Sequence, residues 1–140
     1  MHYSFDLTIP AQTTEVNKIS LVCPVNYGIL REIEIFFPWG CAGLVHVQIY
    51  RFQRQIFPSN IDSNYSDNDY HLRFEEYYPI LELPYELVVK GWNLDDYFDH
   101  TIVFRFSVIH PSAISTVSGT PITAEELAAL LGTYEIAGGG

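Results

Sequence analysis

The stretch KGWNLDDYFDHTIVFRF, Lys90 to Phe106, separates two readings of this chain. Its middle gathers Asn93, Asp95, Asp96, Asp99 and His100, groups that suit a cation site, a catalytic site or a polar turn. Its flanks decide the fold. Ile102, Phe104, Phe106 and Val108 alternate with Arg105 and Ser107, and Leu87 and Val89 alternate with Glu86 and Lys90. A period of two places one face of a strand in a core and the other in water. The acidic residues then fill a connection between two strands, where Asp and Asn cap turns with their own side chains. Calcium would accept Asp95, Asp96 and Asp99 as oxygen ligands. Their spacing does not match the helix–loop–helix calcium loop, which needs a central Gly and a distal Glu.

The same alternation runs back to the start of the chain. Phe5, Leu7 and Ile9 oppose Ser4, Asp6 and Thr8; Ile19, Leu21 and Cys23 oppose Lys18 and Ser20. Ile33, Ile35 and Phe37 oppose Glu32 and Glu34, and Val45, Val47 and Ile49 oppose His46 and Gln48. Shorter runs at 55–57 and 71–74 add two more candidates. The pattern predicts seven or eight strands punctuated by prolines and turns, hence an all-β antiparallel sandwich or jelly roll over residues 1–110.

Three connections stand out. FPWGCAG (37–43) suits a type I turn with Pro38 at its second position, which puts Trp39 at a tip. There it either folds back over the end of the sandwich, anchors a protein contact or stacks on a sugar. PSNIDSNYSDNDY (58–70) is polar throughout and is expected to be an exposed, mobile loop. EEYYPILELPYE (75–86) carries Tyr77, Tyr78 and Tyr85 beside Pro79 and Pro84. Proline cannot donate a ladder hydrogen bond, so this segment belongs at a sheet edge or outside the sheet. Tyr77 and Tyr78 are candidate partner contacts.

Composition narrows the function. Seven Lys+Arg against seventeen Asp+Glu give a formal charge of −10, which repels phosphate, so no nucleic acid and no anionic membrane is expected as a partner. No apolar run reaches the length of a membrane span, about 18 residues. The first ten residues lack the basic start and apolar stretch of a signal peptide, and the mature chain is expected to begin at Met1. The five histidines are scattered, with no His-x-His and no His-Glu-x-x-His, and no nucleophile elbow or phosphate loop is present. Cys23 and Cys41 are expected as buried free thiols, although they could pair if their strands adjoin.

The pattern changes at His110-Pro111. PSAISTVSGTP reads as a linker, and Thr123 with Glu126 forms a capping box for a short helix over 123–131. Leu127, Leu130 and Leu131 make an apolar stripe on it, and each buried leucine is worth about 1.5–3 kcal/mol. The helix is expected to dock on its own domain or to reach a neighbouring subunit as a C-terminal arm.

The segments YSFDLTIPAQTT, FPWGCAGLVHVQI and EEYYPILELPYELVVKGWNLDD, with DHTIVFRFSV, resemble small head-associated structural β proteins of tailed bacteriophages and related viruses. The resemblance covers residues 3–108 and carries no catalytic residue. It implies a decoration or minor capsid protein of the virion, assembled in the host cytoplasm. Its partners would be copies of itself, with a trimer favoured, and a major capsid or other virion protein. The expectation is therefore a structural protein, not an enzyme, with Trp39, Tyr77, Tyr78, Leu127, Leu130 and Leu131 as contact residues and no cofactor beyond a possible calcium at Asp95, Asp96 and Asp99. The competing expectation is a carbohydrate-binding module on the same fold, using Trp39, Trp92 and the Asp95–Asp99 turn.

Overall fold

A computed structural model describes residues 1–113. Each alternating segment is a strand: β1 (His2–Ile9), β2 (Ile19–Pro24), β3 (Gly28–Phe37), β4 (Val45–Arg51), β5 (Arg54–Phe57), β6 (Tyr70–Ile80), β7 (Glu86–Asn93) and β8 (His100–Ile109). A single 3-10 turn, Glu15–Asn17, interrupts the first connection. The strands form two four-stranded antiparallel sheets, ordered β1-β8-β3-β6 and β2-β7-β4-β5. The fold is thus the expected all-β sandwich. Its pairing is nested: β1 with β8, β2 with β7, β3 with β6 and β4 with β5.

The predicted inward residues fill the space between the sheets. Ile9, Ile33, Ile35, Phe37, Val45, Val47, Ile49, Leu87, Val89, Ile102, Phe104 and Val108 are fully buried. Gly91 leaves room for the facing layer: a Cβ there would meet Ile9 Cδ1 at 2.6 Å, and that side-chain end would have to shift. Cys23 and Cys41 lie in this core as free thiols, and burial pushes them up to about 12 and about 11. Thiolate, the reactive form, is therefore suppressed at both.

Two local expectations change, and the 58–70 loop is largely exposed as expected while being anchored by hydrogen bonds. The strand expected at 71–74 runs on to Ile80 and takes in Tyr77, Tyr78 and Pro79. It can do so because β6 is an edge strand, so Pro79 pairs with Ile29 on one side and owes no donor on the other. The turn after β3 starts one residue later than predicted: Cys41 N–H donates to Pro38 O at 3.4 Å, and Gly40 takes φ +104° at the third position. That is the position a type II turn reserves for glycine. The polar 58–70 loop is tied down along its length. Tyr65 exchanges both backbone hydrogen bonds with Val47 at 3.0 Å, and the buried Gln55 carboxamide donates to the carbonyls of Pro58, Asn60 and Ser63.

The composition change at 110–111 coincides with the end of β8 at Ile109, and residues 111–113 are helical. The capped helix over 123–131, with Leu127, Leu130 and Leu131, lies outside the described residues.

Candidate functional site

Because the sheets are antiparallel, the β1–β2, β3–β4, β5–β6 and β7–β8 connections gather at one end of the sandwich. The opening stretch supplies the last of these. Asn93 is fully buried at the end of β7. Its Nδ2 donates to Ile9 O at 3.0 Å and Phe98 O at 2.9 Å, and its Oδ1 accepts from Asp95 N–H at 2.9 Å. Asp95 Oδ1 accepts from the backbone N–H groups of Tyr97 (2.9 Å) and Phe98 (3.3 Å), and Oδ2 accepts from His100 Nε2 at 2.8 Å. A carboxylate only accepts, so His100 carries its proton on Nε2. These bonds, the Tyr97 N–H first and His100 next, hold the Asp95 carboxyl below its ordinary range.

The three aspartates do not converge. Asp99 turns to the β1–β2 connection and accepts from Ala11 N–H at 2.8 Å. Asp96 is exposed, and its backbone carbonyl accepts from Gln12 Nε2 at 3.3 Å. No group of three or more His, Cys, Asp and Glu gathers in metal-binding geometry among the described residues. The acidic turn is a structural knot: the Asp95 and Asp99 carboxylates are spent on backbone N–H groups and on a histidine.

That knot fixes what faces out. With their N–H groups aimed inward at Asp95, Tyr97 and Phe98 put their rings in solvent, 84% and 66% exposed, with centroids 6.5 Å apart. The neighbouring β3–β4 connection does the same for Trp39, which is 81% exposed and does not fold back. Asn68 Oδ1 accepts from Gly40 and Ala42 N–H at 2.9 Å each and holds this turn. Leu94 N–H donates to Leu44 O at 2.9 Å and joins the two connections, and both leucines are exposed. The end of the sandwich is therefore a hydrogen-bonded platform bearing Trp39, Leu44, Leu94, Tyr97 and Phe98. Tyr97 and Phe98 were legible only as part of a polar turn. Two aromatics among aspartates, in DDYFD, were the available signal.

Other predicted contacts scatter. Tyr77 is 46% exposed on the outside of β6, with the Arg31 guanidinium 4.8 Å from its ring. Tyr78, its neighbour, points the opposite way and packs edge-on against Phe57, half-buried at the margin of the core. Trp92 is buried at 3% beneath the His46 ring, 5.2 Å away, which removes it from a shared sugar site with Trp39.

A second surface was not read from the sequence. On the outside of the β1-β8-β3-β6 sheet, Ser4, Arg105, Glu34 and Arg73 lie in one row across all four strands. Glu34 is nearly buried there. It accepts from His71 Nδ1 at 2.8 Å, Arg73 Nη2 at 3.1 Å and Arg105 Nη1 at 3.4 Å. The His71 hydrogen bond, with help from Arg73 and against burial, holds its carboxyl low. Arg73 also reaches Glu32 at 3.2 Å, and Arg31 reaches Glu75 at 3.0 Å. An open cleft of about 420 Å³ passes over this row between His2 and Arg73. Its arginines are already neutralised by glutamates, so it offers no free charge to a ligand.

Compared with family models, curated proteins and solved structures, the chain matches none.

Proposed function

We propose that this chain is a structural subunit of a virion, a decoration or minor capsid protein that works by burying surface against copies of itself and a shell protein. The observation that carries the proposal is the platform. Trp39, Tyr97 and Phe98 stand exposed on connections held by side-chain-to-backbone hydrogen bonds. Rigid aromatics lose little entropy when covered, and Trp and Tyr dominate the energetics of protein contacts. Large apolar side chains grouped on one surface mark interaction sites. The nested strand order is compatible with a jelly roll, an architecture of viral capsid and lectin domains, and so supports the same reading. Fold alone does not choose between those two, so the weight rests on the surface.

The test is the native mass of the protein by light scattering across a wide concentration range. Wild type is expected to associate, and Trp39→Ala combined with Tyr97→Ala to shift it toward monomer. A monomer at every concentration would remove the self-assembly half of the proposal. Trp39 also has the exposure a sugar-stacking residue needs, which keeps the carbohydrate-binding reading in play. Glycan-array binding that is lost on Trp39→Ala, in a chain that stays monomeric, would favour it.

A further inference from the structure

The aromatics of the platform stand among negative charges. Asp96 and Asp99 flank Tyr97 and Phe98, and Asp67 and Asp69 flank the Asn68 that holds the Trp39 turn. All four aspartates are exposed, and the connections 38–44, 58–69 and 94–99 contain no Lys or Arg. Two platforms pressed together would therefore oppose like charges, which disfavours that pairing. The surface that suits this end is apolar and cationic.

Most cations of this chain are committed elsewhere. Of the seven basic residues, Arg31, Arg73 and Arg105 are ion-paired with glutamates on the first sheet. Arg51 is buried and donates to Glu82 O at 2.9 Å, and Arg54 is a single exposed cation beside it at the β4–β5 turn. The remaining two, Lys18 and Lys90, are the only lysines, and they share the outer face of the second sheet. Lys90 Nζ lies 4.2 Å from the centroid of the Tyr50 ring. Lys18 Nζ lies 5.3 Å from that of Trp92 and donates to Gln48 Oε1 at 3.1 Å. Among the described residues no carboxylate ion-pairs with either lysine. A ring holds a cation in place without cancelling its charge. Register puts Ser20, Lys90 and Gln48 in one row across β2, β7 and β4, with Val22, Val88 and Tyr50 in a row beside them. Val22 is half exposed there. The three strands contain a single carboxylate, Glu86, at the other end of β7. In a chain of formal charge −10, this face is ordered, partly apolar and positive.

We infer that the platform of one copy docks on the Lys18–Lys90 face of a second copy, with Asp96 meeting the lysines and Tyr97, Phe98 and Trp39 covering apolar ground beside them. This rests on the self-assembly reading above and adds the surface that receives the platform. The two surfaces differ, so each copy keeps one of each kind to offer. Such a contact closes into a ring or runs on as a filament, and a ring of three would be the trimer that the resemblance implies.

Contact between unlike surfaces predicts complementation. One full-length chain carries Trp39→Ala with Tyr97→Ala and keeps its lysines; the other carries Lys18→Glu with Lys90→Glu and keeps its platform. Each alone should sediment as a monomer at concentrations where wild type associates, and the mixture should form a dimer of one of each that grows no further. Asp96→Lys, at an exposed position, tests the same contact without touching the lysine face. It should weaken association at least about tenfold, and added salt should weaken that of wild type. A lysine variant that keeps the wild-type mass, or two monomeric variants that do not pair when mixed, would overturn the lysine-face contact and leave the assembly reading standing. An Asp96→Lys chain that associates as wild type does would have the same consequence. Wild type that is monomeric at every concentration would overturn both.

Discussion

Asp95 and Glu34 are two nearly buried carboxylates, each accepting from a histidine at 2.8 Å, and they serve different ends. The partners of Asp95 lie two, three and five residues along the chain. It is a local knot that any chain with this loop sequence could tie, and tying it pushes Tyr97 and Phe98 into water. The partners of Glu34 lie 37, 39 and 71 residues away, on two other strands. That cluster exists only because register brings β6 and β8 to either side of β3. One carboxylate shapes a loop that presents apolar surface. The other knits a sheet face whose charges cancel. Exposed aromatics at the first and a charge-balanced sheet face at the second are different surfaces, set by different kinds of contact.

The sharpest way to break this contrast is to untie the knot. Asn93→Ala removes a side chain that serves Ile9 O, Phe98 O and the Asp95 N–H, all at a buried site. Leaving buried groups unpaired costs about 1–3 kcal/mol each, so a loss near about 3 kcal/mol in urea unfolding is expected. A loss under about 1 kcal/mol would mean that the loop does not depend on it.

Glu34→Gln should cost less, about 1 kcal/mol at most, because its Arg and His partners are mainly exposed and screened. The cost should shrink in high salt, which would not happen at Asn93. Acid gives a related measurement. Both carboxyls titrate lower when folded than when unfolded, so their stabilisation is complete above the ordinary carboxylate range and is lost as pH falls through the folded values. The unfolding midpoint should therefore drop on acidification below about pH 4. Glu34→Gln should flatten part of that drop and leave the part due to Asp95.

The smallest expected effect on folding is at the surface the knot displays. Tyr97→Ser should change stability by no more than about 0.5 kcal/mol, as exposed substitutions do, while lowering the associated mass. A large loss of stability there would show that the ring packs on its own subunit.

Alternation along β1, β3, β4, β7 and β8 made the sandwich readable, since a side chain's face in a strand follows from its position alone. The proline rule placed β6 at an edge for the same local reason. The inward turn of Tyr78 was not legible, because its contact, Phe57, belongs to the other sheet. The 58–70 loop looked free because its anchors are two glutamines and a valine on β4 and β5, and nothing in the loop's own residues announces them. Trp39 was placed at a tip correctly, but whether the tip is open depended on how the neighbouring connections fill the end of the sandwich.

By itself, then, the sequence determined the periodicity, the inward set and the local bonds of Asp95 in the β7–β8 connection, because each depends on interactions within a few residues. Tertiary structure alone decided which rows cross the sheet, that Glu34 meets Arg73 and Arg105, and that the longest described strand is an edge strand. Those outcomes depend on pairing between segments tens of residues apart, and the pattern of one strand does not specify the register of another.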